Sequence, residues 1–459
     1  MSSYRSNVEA LLAGGWSFAG LYAVRDTGPV RAVFARGAEI RMETDEANGA
    51  GVPSIVDLTP AAGWDEREAH DLYGIGFEGH EPLRPLVDHD LELASWTVAV
   101  QGHDAYQVAV GPIHAGVIES GHFRFHLVGE KILHLDARLF YKHRGLERAA
   151  EGATLDDGAR YVARACAACA VTNGVAYAQA VEQCRGLLAG PELARARTLL
   201  LELERVWSHL NDISAICAGT GLAAGAQRFA GLTERARRLN ARLTGHRFLF
   251  GSVAVGGSAL ALDDQEIAAT RTELDELRAE SASGRRELLF NRSFQDRLPG
   301  VGVVRARDAR RLGATGPAAR ASGLLEDARA AAAGLAYEGF APVAPNDGTG
   351  DVQARLEQRH LELEQSFEIL GGLLLHPLAP SSAENGLPER ALGAARVESP
   401  RGATLCVVER DGDRVARLHL RTGSYANWPV VAFAASGNML PDFPLINKSF
   451  ELCYACADR

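Results

Sequence analysis

The sequence predicts an α+β protein in which a small N-terminal α/β module precedes a larger, mainly helical domain. Short apolar runs separated by glycine and proline fill the N-terminal part, and long segments of helical periodicity fill the middle. A strand–turn–strand pattern follows near the end. We place the boundary between about Asp90 and Gln101, which gives predicted domains at residues 1–95 and 100–459.

The predicted strands lie towards both ends of the chain. Apolar runs at residues 32–34 and 40–42 indicate a small sheet, and residues 66–73 indicate a charged turn or short helix. Residues 122–128 (HFRFHLV) mostly alternate polar with apolar side chains, which favours a half-buried strand. Residues 404–421 place two apolar runs around Asp411-Gly412 and therefore predict a β-hairpin.

The predicted helices lie between these strands. Apolar residues recur at helical spacing in residues 194–213, which predicts an amphipathic helix. Residues 263–282 form a polar amphipathic pattern whose two initial aspartates favour a helix N-terminus, and residues 351–370 predict a further helix. The alanine-rich residues 328–336 have a helix-forming composition.

Composition restricts the possible classes of protein. The 459 residues are 47% hydrophobic and 23% charged, which is typical of a globular protein. The net charge of −10 argues against a nucleic-acid-binding protein, which needs a basic surface. The N-terminal residues predict no signal peptide, and the longest apolar stretch, residues 248–262, is shorter than a membrane span. Seven cysteines, an odd number, indicate reduced thiols and a cytoplasmic protein.

Four of the cysteines form two CxxC pairs. Cys166 and Cys169 make the first pair, and Cys453 and Cys456 make the second, 284 residues further along. Paired thiolates chelate soft or borderline metals such as zinc, iron in clusters, copper(I) or nickel. A structural zinc site usually has its pairs about 12 to 20 residues apart, and unrelated buried cysteines rarely form two such pairs. The residues alone therefore predict a metal site without naming the metal.

The residues around both pairs resemble the motifs of nickel–iron hydrogenase large subunits. Four segments match these motifs in the same order: residues 111–130, residues 164–182 (RACAACAVTNGVAYAQAVE), residues 398–402 and residues 442–459 (DFPLINKSFELCYACADR). Residues 64–80 (WDEREAHDLYGIGFEGH) resemble the signature of the complex I subunit that pairs with the hydrogenase-like one. This fusion resembles the energy-converting formate-hydrogenlyase and hydrogenase-4 class, which is related to the C and D subunits of NADH-quinone oxidoreductase.

The resemblance implies a role for each cysteine. Cys166 and Cys453 would be terminal nickel ligands, and Cys169 and Cys456 would bridge nickel to an iron that carries carbonyl and cyanide ligands. Cys453 matches the position that accepts the proton from dihydrogen. Glu119 matches the glutamate that carries this proton outward, and we expect desolvation to raise its pKa towards neutrality.

Three further residues belong to the implied site. Arg401 matches an arginine above the metals that stabilises the cyanide ligands. Arg164 would form a local hydrogen bond beside the first pair. Asn173 stands where the family usually has histidine; it can donate a hydrogen bond to a sulfur or a carbonyl oxygen but cannot titrate. Ala167 replaces the family's glycine, which is a small change where φ is negative.

Two other groups of polar residues have less specific interpretations. His209 on the long helix predicts a buried structural hydrogen bond. Glu66, Arg67, Glu68 and Asp71 resemble a carboxylate metal site, but their mixed charges favour a docking or helix-capping surface at the rim of an interface. We expect no catalytic role for them.

The resemblance implies a hydrogenase large subunit that interconverts dihydrogen with protons and electrons. Its partners would be an iron–sulfur small subunit similar to the complex I B subunit, a ferredoxin-like subunit and membrane subunits, which would hold it on the cytoplasmic face of the membrane. The three remaining cysteines are too few for an iron–sulfur cluster held by four thiolates. Two alternatives remain: a complex I-like subunit without hydrogenase activity, whose cavity accepts a quinone or only transmits conformational change, and a zinc-stapled structural scaffold.

Family members are commonly made with a C-terminal extension that is cleaved after a basic residue just beyond the last cysteine. The sequence ends at Arg459, three residues after Cys456. This is expected either of a processed form or of a gene that encodes no extension.

Overall fold

The α+β prediction is confirmed by the computed structural model, which describes residues 3–47, 51–90, 92–114 and 118–459. The helices are α1 (Ser3–Ala13), α2 (Gly63–Tyr73), α3 (Leu93–Trp96), α4 (Leu146–Ala150), α5 (Gly158–Ala163), α6 (Ala170–Arg185), α7 (Pro191–Gly219), α8 (Ala223–Thr244), α9 (Asp264–Phe290), α10 (Arg292–Gln295), α11 (Ala306–Arg311), α12 (Gly316–Ala321), α13 (Val352–Leu373), α14 (Gly423–Ala435), α15 (Phe443–Phe450) and α16 (Tyr454–Asp458). Short 3-10 turns occupy Pro60–Ala62, Ala167–Cys169, Ala328–Ala331 and Leu440–Asp442.

The strands form small sheets. They are β1 (Ser17–Ala23), β2 (Val30–Arg36), β3 (Glu39–Asp45), β4 (Val52–Pro53), β5 (Phe77–Glu78), β6 (Tyr106–Val110), β7 (His122–Val128), β8 (Lys131–Arg138), β9 (Leu187–Leu188), β10 (Gly257–Ser258), β11 (Ser381–Ser382), β12 (Glu384–Asn385), β13 (Leu392–Ser399), β14 (Gly402–Asp411) and β15 (Arg414–Arg421). The main sheets are the antiparallel β1-β2-β3, β6-β7-β8 and β13-β14-β15.

The N-terminal sheet is covered on both faces. One face packs on α1 and α2 around Val8, Val30 and Phe34. The other face places Tyr22 and Val33 against side chains of β13 and β14. This double coverage explains why β2 is buried along most of its length rather than on alternate residues. The N-terminal module therefore shares a hydrophobic seam with the rest of the chain.

A helical layer lies behind the third main sheet. Helix α6 packs on β13 and β14, and α7 packs against α6, α8, α13 and α15. Because α7 is surrounded by other elements, most of its residues are buried, including several charged ones. In the described part of the chain, no helix is both long enough and apolar enough to cross a membrane.

Most of the sequence-predicted elements are confirmed. The helices expected at residues 194–213, 263–282 and 351–370 are α7, α9 and α13, and the expected hairpin is β14–β15. Residues 122–128 form β7. The division of the chain at residues 95–100 stays a prediction.

The alanine-rich residues 328–336 depart from their helix-forming composition. Only Ala328–Ala331 make a 3-10 turn. Asp327 accepts a hydrogen bond from the backbone N–H of Arg329 at 2.9 Å, and the two side chains form a buried ion pair at 2.8 Å. Pairing of these buried charges fixes the local backbone and overrides alanine's helix propensity.

The contact between α6 and β13 leaves no space for a side chain at Gly393. A Cβ there would lie 1.9 Å from the carbonyl oxygen of Ala180 and 3.1 Å from the sulfur of Cys184. We expect Gly393→Ala to lower the free energy of unfolding by about 1–3 kcal/mol, measured by urea denaturation. The control is Gly371→Ala in α13, where a Cβ meets no neighbour and alanine stabilises a helix by about 0.5–1 kcal/mol. Equal stability of the two variants would contradict this packing.

Candidate metal centre

The fold brings the two CxxC pairs together. The sulfur atoms of Cys166, Cys169, Cys453 and Cys456 all lie within 4.8 Å of one another. Tetrahedral metal–sulfur bonds of about 2.3 Å place sulfur atoms about 3.8 Å apart, so the four sulfurs fit around one metal ion after small side-chain adjustments. None of these cysteines forms a disulfide.

The first pair sits at the N-terminus of α6. Cys166 precedes the 3-10 turn Ala167–Cys169 and accepts a hydrogen bond from the N–H of Ala168 at 3.2 Å. Cys169 is the residue immediately before α6. The buried Glu204 of α7 takes the role of a capping side chain, accepting hydrogen bonds from the N–H of Val171 at 2.6 Å and the N–H of Thr172 at 3.1 Å. Helix α7 thus holds the start of α6.

The second pair is held by the start of α14. Cys453 precedes α16 and donates its N–H to the hydroxyl oxygen of Ser424 at 3.1 Å. The carbonyl oxygen of Cys456 accepts a hydrogen bond from Thr422 Oγ1 at 3.1 Å. Because α14 also packs on β8, the second pair is anchored to the sheet β6-β7-β8.

The four thiols influence one another's protonation. Hydrogen bonds from Cys166, Cys169 and Cys456 hold the pKa of Cys453 well below its ordinary value, and the nearby Arg401 contributes in the same direction. Hydrogen bonding to neighbouring sulfurs, followed by burial, raises the pKa values of Cys169 and Cys456. The thiolate is therefore favoured at Cys453, whereas Cys169 and Cys456 have to release their protons when a metal binds.

A cavity of about 520 Å³ opens beside the cysteines. Cys169 and Cys456 are almost completely buried, whereas Cys453 is partly exposed and lines the cavity together with Cys166. The other lining side chains include Glu119, Lys142, Trp207, Arg237, Phe248 and Lys448. The cluster is therefore open on one side, as catalytic metal sites are, whereas structural zinc sites are closed.

Arg401 lies in the wall of this cavity. Its guanidinium donates to Asp212 Oδ1 at 2.9 Å and to the carbonyl oxygen of Glu451 at 3.0 Å, and it also contacts Ser208 Oγ. Burial alone would lower the pKa of Arg401, but Asp212 and the cysteine thiolates raise it well above its ordinary value. The guanidinium is therefore a fixed positive charge beside the four sulfurs.

Glu119 also lines the cavity, but it is not desolvated as we expected. Its side chain is exposed, and Oε2 accepts a hydrogen bond from the N–H of Ala455 at 2.9 Å. Residues 115–117 of the same motif lie outside the described residues. The expectation of burial is wrong: Glu119 contacts the backbone of the second CxxC segment through this hydrogen bond, and its carboxylate lies at the open cavity.

The structure places the other predicted site residues as follows. Asn173 is fully buried and donates Nδ2 to the carbonyl oxygen of Val162 at 3.5 Å, while its Oδ1 has no hydrogen-bond partner among the described residues. Ala167 does not have a positive φ, so the alanine causes no backbone strain. Arg164 differs from expectation: it is exposed, and its guanidinium lies 4.5 Å from the ring centroid of Phe250. A cation–π contact thus takes the place of the expected hydrogen bond.

The structural interpretation of His209 is confirmed. Its ring is fully buried, and Nε2 is hydrogen-bonded to Glu362 Oε2 at 3.0 Å.

The interpretation of residues 66–71 as a docking or helix-capping surface is wrong, because no side chain in the described part of the chain caps α2 and its carboxylates pair with other parts of the chain. Glu66 and Glu68 are buried, and Glu66 accepts hydrogen bonds from Ser54 Oγ and the N–H of Ile55, both at 2.8 Å. Asp71 accepts backbone N–H groups of the following loop, including that of Leu86 at 2.6 Å. These carboxylates bind partners inside the protein because the rest of the chain covers α2. The charge pattern of one helix does not reveal that it is covered.

Sequence reasoning missed three carboxylates around the centre: Glu204 and Asp212, which are buried, and Glu451, which is partly exposed. Asp212 holds Arg401, and it lies one helical turn after His209 on the same face of α7. Burial raises the pKa of Glu204, the cap of α6, to about 7. Burial also raises the pKa of Glu451, which contacts Lys448 at 3.5 Å, to about 7. The only sequence signal was for Asp212, which follows Ser208 by four residues on α7 and therefore lies on the same helix face.

The raised pKa of Glu204 makes stability depend on pH. An unfolded glutamate has a pKa of about 4.3, so between about pH 4.3 and 7 the unfolded chain releases a proton that the folded chain keeps. Stability therefore falls as pH rises through this window, and it is unaffected below it. In the metal-free chain, we expect Glu204→Gln to gain stability relative to the parent, on the order of 3 kcal/mol, as pH rises from 4.5 to 7.

Thermal denaturation across this pH range measures the effect. The matched control is Glu192→Gln at the exposed start of the same helix, which should follow the parent at every pH. Parallel pH profiles for Glu204→Gln and the parent would show that Glu204 is ionised in the folded chain.

Comparison with known proteins identifies the family to which the chain belongs. The profile of the 49 Kd subunit family of respiratory-chain NADH dehydrogenase matches residues 225–376 and 382–459, and that of the 30 Kd subunit family matches residues 16–95. Formate hydrogenlyase subunit 5 of Escherichia coli K12 is 31% identical over 92% of this chain and 79% of its own length. Hydrogenase-4 component G of the same organism is 29% identical over 90% of this chain and 77% of its own length.

More distant relatives extend the match. The C/D subunit of NADH-quinone oxidoreductase from Rhodopseudomonas palustris HaA2 is 26% identical over 92% of this chain and 85% of its own length. A chain of the membrane-bound sulfane sulfur reductase, an archaeal respiratory membrane complex, superimposes with a TM-score of 0.70 at 28% identity, covering 78% of this chain and 99% of that one. The chain therefore belongs to the family of energy-converting hydrogenase large subunits that carry a fused 30 Kd-type module and are related to the C and D subunits of NADH-quinone oxidoreductase.

Proposed function

We propose that this chain is the catalytic large subunit of a nickel–iron hydrogenase that interconverts dihydrogen with protons and electrons. The observation that carries the proposal is the cluster of four cysteine sulfurs within 4.8 Å, open to a cavity, in a chain of this family. A purely structural zinc site is closed by its four protein ligands and does not open to a cavity. A complex I-like subunit without a metal would have no use for four clustered thiols.

The proposed centre uses all four cysteines. Cys166 and Cys453 would be terminal ligands of nickel, and Cys169 and Cys456 would also bind the iron. When bound, a nickel–iron group with carbonyl and cyanide ligands supplies the redox chemistry that splits or forms dihydrogen. The donor set fits, because soft thiolates select soft or borderline metals.

The chain's own residues supply a base and a path for the proton. Cys453 lines the cavity and is the one partly exposed cysteine of the four, so its sulfur is placed to take up a proton there. Glu119 lines the same cavity and is bound to the N–H of Ala455, two residues beyond Cys453. We propose that Glu119 passes the proton from Cys453 to solvent.

Arg401 supplies a fixed positive charge in the cavity wall. Asp212 holds its guanidinium in one orientation, and Arg359 contacts the other oxygen of Asp212 at 3.1 Å. A preorganised donor of this kind stabilises negative charge without reorientation. Arg401 would therefore orient anionic ligands of the metal group, and Asp212 would position Arg401.

We further propose that the subunit works inside a membrane-associated assembly. A small subunit with an iron–sulfur cluster would carry the electrons, a ferredoxin-like subunit would continue the path, and membrane subunits would hold the complex at the cytoplasmic face. The similarity to a chain of an archaeal respiratory membrane complex supports this arrangement.

The first test identifies the metal group. The complex is purified with its natural partners, its infrared spectrum is recorded in the metal–carbonyl and metal–cyanide region, and nickel is quantified on the same sample. We expect both sets of bands and one nickel per chain. Zinc in place of nickel would support a scaffold, and a metal-free site in the assembled complex would support a complex I-like role; either result would overturn the proposal.

The second test concerns proton transfer. Because Glu119 is exposed and binds only one backbone N–H in the described chain, Glu119→Gln should fold and keep its metal. We expect hydrogen turnover to fall at least about 100-fold, in line with the contribution of a positioned acid–base group. The control is Glu130→Gln, an exposed glutamate on the turn between β7 and β8. Unchanged turnover in Glu119→Gln would assign the proton path to other residues.

A further inference from the structure

The segment that follows Cys456 ends in a buried arginine. Arg459 is only 3% exposed, although its side chain is charged. Its guanidinium donates to Glu147 Oε1 at 2.9 Å, to Glu68 Oε2 and to the carbonyl oxygen of Leu420. The guanidinium also lies 4.7 Å from the ring centroid of Tyr425. Five donors in a rigid fork allow arginine to bind several acceptors at once.

The two carboxylates come from different parts of the chain. Glu68 lies on α2 of the N-terminal module, and Glu147 lies on α4 beyond β8. Burial alone would raise the pKa of Glu147, but Arg459, His419 and Arg417 hold it well below its ordinary value. Removing one partner from such a buried set leaves an uncompensated charge, which is strongly destabilising locally.

The opposite side of the same segment is also fixed. Asp458 accepts hydrogen bonds from the N–H groups of Phe140 at 2.8 Å and Lys142 at 2.9 Å. The carbonyl oxygen of Arg459 accepts the N–H of Arg144 at 2.8 Å. Helix α16 is only five residues long and includes Cys456, so these end contacts help to fix the sulfur of Cys456, together with the hydrogen bond from Thr422 to its carbonyl oxygen.

We propose that Glu68 is a positioning residue for the metal centre, which it influences from the N-terminal module by holding Arg459 and thereby α16. The proposal rests on the proposed function only in treating the four cysteines as the metal site. Glu68 belongs to the stretch that sequence patterns interpret as a docking surface, and the structure assigns it this inward role. The fused module therefore completes the site rather than only attaching partners.

Another ion pair between the N-terminal module and the rest of the chain provides a control. Asp26 of the N-terminal module binds Arg148 of α4 at 2.9 Å, but both side chains are largely exposed, at 64% and 60%. Exposed pairs contribute little to stability. Asp26→Asn therefore removes a carboxylate that joins the N-terminal module to α4, without changing any contact of α16.

Hydrogen–deuterium exchange on the purified full complex tests the proposal. In Glu68→Gln we expect the amides of residues 454–459 to exchange at least 10-fold faster, while those of α2 and β1 change less than 2-fold. Asp26→Asn should change neither region more than 2-fold. Glu68→Asp, which restores the charge, should return part of the protection. Arg459→Lys keeps the charge but loses the fork, and it measures the same contact if Glu68→Gln fails to assemble.

A spectroscopic measurement separates positioning from general stability. The absorption or infrared bands of the metal that the complex contains should shift in Glu68→Gln and stay in place in Asp26→Asn. Unchanged exchange at residues 454–459, or bands that do not move, would overturn the proposal. Because exchange at the segment does not depend on which metal is bound, finding zinc instead of nickel would refute the proposed function and leave the exchange test intact.

Discussion

The structure depends on bringing sulfur atoms from residues 284 positions apart to within 4.8 Å. Closing a loop of that length costs on the order of 5 kcal/mol of chain entropy before any contact forms. The buried core between the pairs has to offset this cost, and it is extensive: α6, α7, α13 and the sheet β13–β15 form one continuous hydrophobic cluster. The cluster of four cysteines is therefore a result of the global fold rather than of a local module.

Helix α7 connects the two halves of this arrangement. Its Glu204 caps the helix that follows the first cysteine pair, and its Asp212 holds the arginine beside the second pair. Arg205 of the same helix donates to the carbonyl oxygens of Glu398 and Ser399, just before Arg401. A buried helix bearing so many charges is stable only because each charge meets a partner from a different segment. The same contacts place the first pair, the second pair and Arg401 relative to one another.

Elements with a strong period were predictable from the sequence. The helices α7, α9 and α13 and the hairpin β14–β15 follow from spacing and turn residues alone. The four cysteines were predictable as a group because CxxC spacing is a local chelating pattern. Glu204, Asp212 and Glu451 were not, because a carboxylate shows its role only through the segment that it meets in three dimensions. Glu119 was found through a motif, yet its exposure depends on the path of a loop that no periodic pattern describes.

The N-terminal module illustrates this limit most clearly. Residues 66–71 have the mixed charges of a solvated helix face, and the sequence offers no sign that Glu68 meets a partner 391 residues away. Such a contact is expected where two modules fold against each other in one chain, since a buried carboxylate needs a partner and Arg459 of the other module supplies it. The hydrophobic contact between the N-terminal sheet and β13–β14 then keeps Glu68 and Arg459 next to each other. Because the modules are fused in one chain, the contact between Glu68 and Arg459 connects the N-terminal module to α16, which carries Cys456.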